Sequence, residues 1–224
     1  MNLPLLPPRL IDFERDLGGI PDDNSLATSY YNGNLLNVTL ANSTTAPPGS
    51  VLTIPQKTFY LMGGIVSSGL INVTIVIDGT IKFSGDIESW PRRNTTGKVM
   101  ECLDFNHVVN FTITSNLEGN YHKSLGVIDG NGGSWWDIPH YNRYGYLQNK
   151  DDRPRLLNIE NGESVLLEKI LFNNAPFWTT NLRRINNLIV RWCGVSARRT
   201  WREGGHSWFD NTAFNTDGFD ISGR

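Results

Sequence analysis

Val165-Leu166-Leu167-Glu168-Lys169-Ile170 and, 23 positions on, Leu188-Ile189-Val190-Arg191-Trp192-Cys193 are two copies of one pattern. Both runs are short and aliphatic, and Asn-rich turns precede both. A fixed offset between strand-like runs marks a solenoid, and one of this size is about one coil of a parallel β-helix. Further β-rich runs, Val73 to Ile77 and Asn110 to Thr114, are likewise set off by Gly and Asn turns. A β-sandwich also has regularly spaced short strands, but it favours two-residue hairpins between matched alternating runs, and the Asn-Gly pairs here are not placed that way. The pattern predicts an all-β chain, a right-handed parallel β-helix, from about Val51 to Ile221.

One stretch carries helical spacing. Asn24 to Leu40 opens on an Asp23/Asn24 cap signal and holds Leu26, Tyr30, Leu35 and Leu36, with Asn32-Gly33-Asn34 expected to interrupt it. This segment is expected to cap one end of the solenoid. The expected organisation is one incomplete domain over 1–224, with 1–47 as N-terminal segment and cap and 48–224 as coils.

The 224 residues are 39% hydrophobic and 11% aromatic, enough for a real core. A net charge of -2 from interspersed acids and bases creates no field that would draw nucleic acid or an anionic membrane. The basic stretch Arg183 to Arg202 reads as a solvated face. Cys102 and Cys193 are too few for a disulfide framework and lack zinc-ligand spacing, so no metal and no cofactor is expected; they read as buried free thiols. Met1 to Pro8 is too short and proline-broken for a signal peptide or a membrane span. Sequons at Asn37, Asn42, Asn72, Asn94 and Asn110 are compatible with secretion.

Four segments then line up, in order, with one family. Pro48-Gly49-Ser50-Val51-Leu52-Thr53-Ile54-Pro55, followed by Thr58 to Leu61 and Gly63-Gly64-Ile65, resembles the first strand and turn of the polygalacturonases, glycoside hydrolase family 28. Gly126-Val127-Ile128-Asp129-Gly130-Asn131-Gly132 with Trp135-Trp136 is similar to the family's G-x-I-D-G-x-G-x-x-W-W signature, and Arg153-Pro154 is its usual companion. Asn173-Asn174-Ala175-Pro176-Phe177-Trp178 looks like the turn that sets a loop beside the substrate groove. Asn215-Thr216-Asp217-Gly218-Phe219-Asp220-Ile221 is similar to the N-T-D-G-x-D motif that carries a catalytic carboxylate. Read without the family, Asp129 and its glycines are turn chemistry and Trp135 and Trp136 are packing residues.

The resemblance implies a secreted enzyme that hydrolyses α-1,4 galacturonosyl links in pectin, acting as a monomer. Inverting hydrolysis needs a carboxylic acid for the leaving oxygen and a carboxylate across the ring to activate water. The resemblance implies that Asp217 stands on the water-activating side, with Asn215 orienting the site and contacting substrate. It also implies an Asp-Asp pair, a Gly-His-Gly turn and an Arg-x-Lys clamp downstream, none of which follows Asp217 before Arg224. The chain as given is therefore expected to be truncated and inactive. Asp151-Asp152, Gly204-Gly205-His206 and Arg183-Arg184-Ile185 do not substitute for them; the first reads as part of a solvated loop. Two rival readings are a pectate lyase, which would need clustered acids for calcium, and a non-catalytic polysaccharide-binding β-helix.

Overall fold

In a computed structural model, residues 6–118, 126–136, 152–198 and 216–223 are described. The chain opens with a short strand, β1 (Leu10–Asp12), and one long helix, α1 (Leu26–Thr39). It then winds through β2 (Val51–Ile54), β3 (Thr58–Leu61), β4 (Ile65–Ser68), β5 (Ile71–Ile77) and β6 (Thr80–Phe83). The longer coils follow: β7 (Leu103–Thr114), β8 (Gly126–Asp129), the single turn α2 (Gly133–Trp136), β9 (Leu157–Glu168), β10 (Ile170–Asn173), β11 (Thr180–Arg191), β12 (Gly194–Ser196) and β13 (Phe219–Ser222).

The strands form two sheets. One runs β1-β2-β5-β7-β9-β11-β13, with β4 also pairing β7, and the other runs β12-β10-β8-β6-β3. All pairings of these strands are parallel. A parallel neighbour one coil away requires a crossover, for which right-handed winding is the rule. The expected β-helix is thus the fold, and Leu188 pairs with Val165 at the offset read from the sequence.

The corners explain the Asn-rich turns. Asn72, Asn110, Ser164 and Asn187 lie at matching positions of β5, β7, β9 and β11, with φ of 52, 50, 54 and 62°. His107, Asn161 and Arg184 make a second such column, and Lys169 and Trp192 a third. Left-handed backbone is costly for most side chains, and Asn tolerates it best after Gly. The amides also stack, with Asn110 Nδ2 donating to Asn72 Oδ1 at 2.7 Å and Asn161 Nδ2 to Asn106 Oδ1 at 2.9 Å. The left-handed residue Lys169 divides the run Val165 to Phe172 into β9 and β10.

Between corners the strands point apolar side chains inward in register. Phe105, Ile159 and Leu182 stack through β7, β9 and β11, and Phe59, Ile81, Ile128 and Phe172 through the second sheet, all buried. Each such side chain contributes about 1.5–3 kcal/mol. Helix α1 packs on β3 and β4. Its start is held by Ser25, whose Oγ accepts from Thr28 N at 3.2 Å.

The expected break at Asn32-Gly33-Asn34 does not occur. Asn32 is buried, and its amide bonds the backbone of Ile20 in both directions and Tyr60 O. Gly33 lies against the first coil, where a Cβ would stand 2.6 Å from Met62 O. Residues that look like helix breakers are the ones that let the helix touch the solenoid.

Candidate functional site

The site begins where the strands of the first sheet begin. Just ahead of β7, β9, β11 and β13, backbone bonds continue the ladder: Cys102 N to Arg155 O at 2.9 Å, Leu156 N to Trp178 O at 3.1 Å, and Thr179 N to Asp217 O at 2.9 Å. Those bonds place Glu101, Arg155, Trp178 and Asp217 in one row, one residue per rung. Thr179 and Thr180 also donate their hydroxyls to Thr216 O and Gly218 O, each at 3.2 Å. The backbone around Asp217 is thereby docked on the preceding rung while the Asp217 side chain stays exposed. Asn215 lies outside the described residues.

The first three members of the row touch in turn. Arg155 pairs with Glu101 at 3.1 Å, and its backbone N–H donates to the same carboxylate. The Arg155 guanidinium lies 4.7 Å from the Trp178 ring centre. Trp178 stacks on Phe177 at 5.3 Å and 19°, and Arg153 sits 5.0 Å from the Phe177 ring while donating to Pro176 O. The Arg153-Pro154 pair and the Pro176-Phe177-Trp178 turn, separate in sequence, are one cluster. Glu101 is held above the usual carboxylate range because burial disfavours its charge, although Arg155 pulls the other way.

A second row runs beside the first. Arg93 donates to Asp104 Oδ2 at 2.8 Å, Asn158 Nδ2 to Asp104 Oδ1 at 2.7 Å, and Asn181 Nδ2 to Asn158 Oδ1. The next residue in register is Asp220. With its Nδ2 committed, Asn181 leaves a buried Oδ1 that has no hydrogen-bond partner among the described residues.

The signature segment is structural, as expected from its composition. Asp129 accepts from Asn131 N and from Asn173 Nδ2, each at 2.8 Å. Gly132 is required by packing, since a Cβ there would stand 2.6 Å from the Trp136 ring. Trp135 and Trp136 are buried, Trp135 edge-on to Trp90 at 5.2 Å. Cys102 is a buried free thiol and Cys193 a half-buried one, and burial raises both thiols above their usual range.

Asp152 departs from the expectation of a solvated loop. Its carboxylate is 1% exposed, pairs with Arg92 at 2.7 Å and accepts from Val99 N at 2.9 Å. The loop across Arg92 and Val99 needs that acceptor, and the neighbouring Arg93 is tied to Asp104 in the same way. Asp151 and Gly204-Gly205-His206 lie outside the described residues. Arg184 bonds Asn161 and Glu160 at 2.7 Å each, so it serves a corner and not a clamp. Glu101, Arg155 and Asp104 were not singled out in the sequence, because 54 positions separate Leu103 from its partner Leu157 and hide the register. No helix among the described residues is long and apolar enough to cross a membrane.

The sequence model for glycosyl hydrolases family 28 matches residues 45–223. The endo-xylogalacturonan hydrolase A of Aspergillus tubingensis is 26% identical over 179 residues, covering 77% of this chain and 37% of its own length. A Neosartorya fischeri protein named "Probable exopolygalacturonase B" is 29% identical over 181 residues, covering 77% and 35%. The chain thus spans little more than a third of the length of these relatives. Among solved structures, the Aspergillus tubingensis enzyme superposes with a TM-score of 0.65 at 19% identity, over 95% of this chain and 48% of that one. A family 28 exopolygalacturonase of Yersinia enterocolitica gives 0.55 at 14%, over 85% and 39%. At such identities these structures speak for the fold.

Proposed function

Because the chain belongs to glycosyl hydrolases family 28, we propose that it is the N-terminal part of a secreted enzyme hydrolysing α-1,4 galacturonosyl links of a pectin-type polysaccharide with inversion. Asp217 is the carboxylate that activates water, and Asn215 orients it and contacts substrate. The observation that supports this best is the exposed Asp217 at the end of the row Glu101, Arg155 and Trp178, with the backbone of Thr216, Asp217 and Gly218 fixed by three hydrogen bonds from Thr179 and Thr180. A catalytic carboxylate needs that combination of access and fixed position.

The chemistry also needs a proton donor across the ring. No Asp-Asp pair follows Asp217 in these 224 residues. We therefore propose that these residues alone bind polysaccharide without cleaving it, and that turnover requires the further motifs. A reducing-sugar assay on polygalacturonate tests this, with the chain alone beside a version extended through those motifs. Activity in the extended form only, lost in Asp217→Asn, is the expected result. Equal rates from both forms would place the acid inside this chain and overturn the assignment.

A further inference from the structure

We propose that Arg155 is a recognition point for a uronate carboxylate, and that the ligand takes the guanidinium from Glu101, which then takes up a proton from solvent. This deepens the functional reading above and rests on it. Arg155 stands in the row that ends at Asp217, two rungs away with Trp178 between. At about 4.8 Å per rung the separation is roughly 9.6 Å. An oligosaccharide lying along the row and reaching Asp217 passes over it.

The guanidinium is held but not saturated. One face lies on Trp178 and Nη1 is on Glu101, while the buried Nε–H has no acceptor among the described residues. A buried donor without a partner is a cost that a carboxylate relieves, and the planar fork of Arg suits a carboxylate better than any other side chain does. With 27% of its side chain exposed, against 15% for Glu101, Arg155 is the member of the pair that an incoming group meets.

Glu101 is the group displaced. The charges that act on it are Arg155 and Arg93, which favour its ionised form, and Asp104, which opposes it. Burial already works against its charge. A ligand carboxylate that captures Arg155 removes the stronger support and brings a new negative charge beside it, so protonation of Glu101 follows. A neutral hexose offers Arg155 no such partner, which makes the pair a selector for uronates.

Titration calorimetry on the 224-residue chain tests this, using a galacturonate oligomer and the same oligomer reduced to neutral sugars. Each is run in two buffers of different ionisation enthalpy, at about pH 5 and about pH 7, where a uronate is ionised throughout. The wild type is expected to bind the charged oligomer more tightly at the lower pH, with net proton uptake. Glu101→Gln is expected to bind without the uptake. The double variant Glu101→Gln/Arg155→Gln leaves no buried charge unpaired, and is expected to bind at least about tenfold more weakly. The reduced oligomer should be bound equally weakly by all three proteins. Undiminished affinity in the double variant would overturn the role of Arg155 while leaving the functional reading standing. Tight binding by wild type without proton uptake would overturn the exchange with Glu101. A wild type that binds neither oligomer would overturn this proposal together with the functional reading.

Discussion

Two columns cross the same rungs of this solenoid, and they differ in chemistry. At the corner, Asn72, Asn110, Ser164 and Asn187 repeat one solution, a small polar side chain on left-handed backbone. Ahead of the strands, Glu101, Arg155, Trp178 and Asp217 change character at each rung: acid, base, aromatic, acid. The corner repeats because the backbone demands it of every coil. Nothing in the winding demands the second sequence, and such variety on a repeating frame is where function is to be sought. The row Asp104, Asn158, Asn181 and Asp220 is intermediate, an amide ladder with a carboxylate at each end.

The largest effect is expected where a loop is locked onto this frame. Asp152→Ala removes the buried carboxylate that Arg92 pairs with, although Arg92 keeps Gly97 O, and it removes the acceptor of Val99 N–H. The expected loss is about 2–4 kcal/mol in urea unfolding. A loss no greater than that of a surface substitution would return Asp152 to the solvated loop that the sequence suggested.

A smaller effect is expected at the corner. Asn187→Val puts a β-branched residue at φ 62° and removes the bond to Ser164 Oγ; it should cost about 1–3 kcal/mol. Asn187→Gly keeps the backbone at ease and should cost less. If the two variants unfold at the same urea concentration, the corner column is not held by backbone conformation and the contrast between the two columns fails.

These corners were legible in the sequence, and the row from Glu101 to Asp217 was not. Val165 and Leu188 stand one short coil apart, so their repeat survives on the page. The spacings are 38 residues from Ile71 to Val109, 54 from Leu103 to Leu157 and 39 from Thr180 to Phe219. Insertions between coils carry no packing constraint and erase the period, and with it any view of which residues face one another. Asp217 could be found because a local motif surrounds it, whereas Glu101 and Arg155 become neighbours only through the winding. The helix was expected, but its cap is Ser25 and not Asp23 or Asn24, and it buries Asn32 and Gly33 while Leu26 and Tyr30 of the expected stripe are exposed, because the contacts that need its Asn-Gly centre come from Ile20, Tyr60 and Met62.

The amide ladder offers a test with the opposite sign. Asn181 Oδ1 is buried without a donor among the described residues, and the residue in register is a carboxylate. Asp220→Asn supplies an N–H at that rung, so it should stabilise the chain by up to about 1 kcal/mol. A rise in urea midpoint would mean that Asp220 is kept for a purpose other than stability. A fall would mean that the ladder is already satisfied and that the row is structural throughout.

The smallest expected effect is a slope, and it separates the row from Glu101 to Asp217 from the corner most directly, because the corner column Asn72, Asn110, Ser164 and Asn187 has no titrating group. Burial raises Glu101 above the usual carboxylate range in the folded chain, with Arg155 only partly offsetting it. A folded state that holds this proton more tightly than the unfolded chain gains stability at low pH. That gain is complete below the ordinary glutamate range and is lost as pH rises through the higher folded value. Through that window the wild-type unfolding free energy should therefore carry a downward contribution from Glu101, and Glu101→Gln should remove it while still hydrogen-bonding Arg155. The measurement is the urea midpoint against pH for the two proteins. Their difference should change with pH above the ordinary glutamate range and be constant below it. Parallel curves throughout would mean that Glu101 titrates alike in the folded and unfolded chains, and a wild type that instead loses stability relative to Glu101→Gln as pH falls through the glutamate range would mean that Glu101 stays ionised beside Arg155, a fixed ion pair of the same structural kind as Asp152 and Arg92.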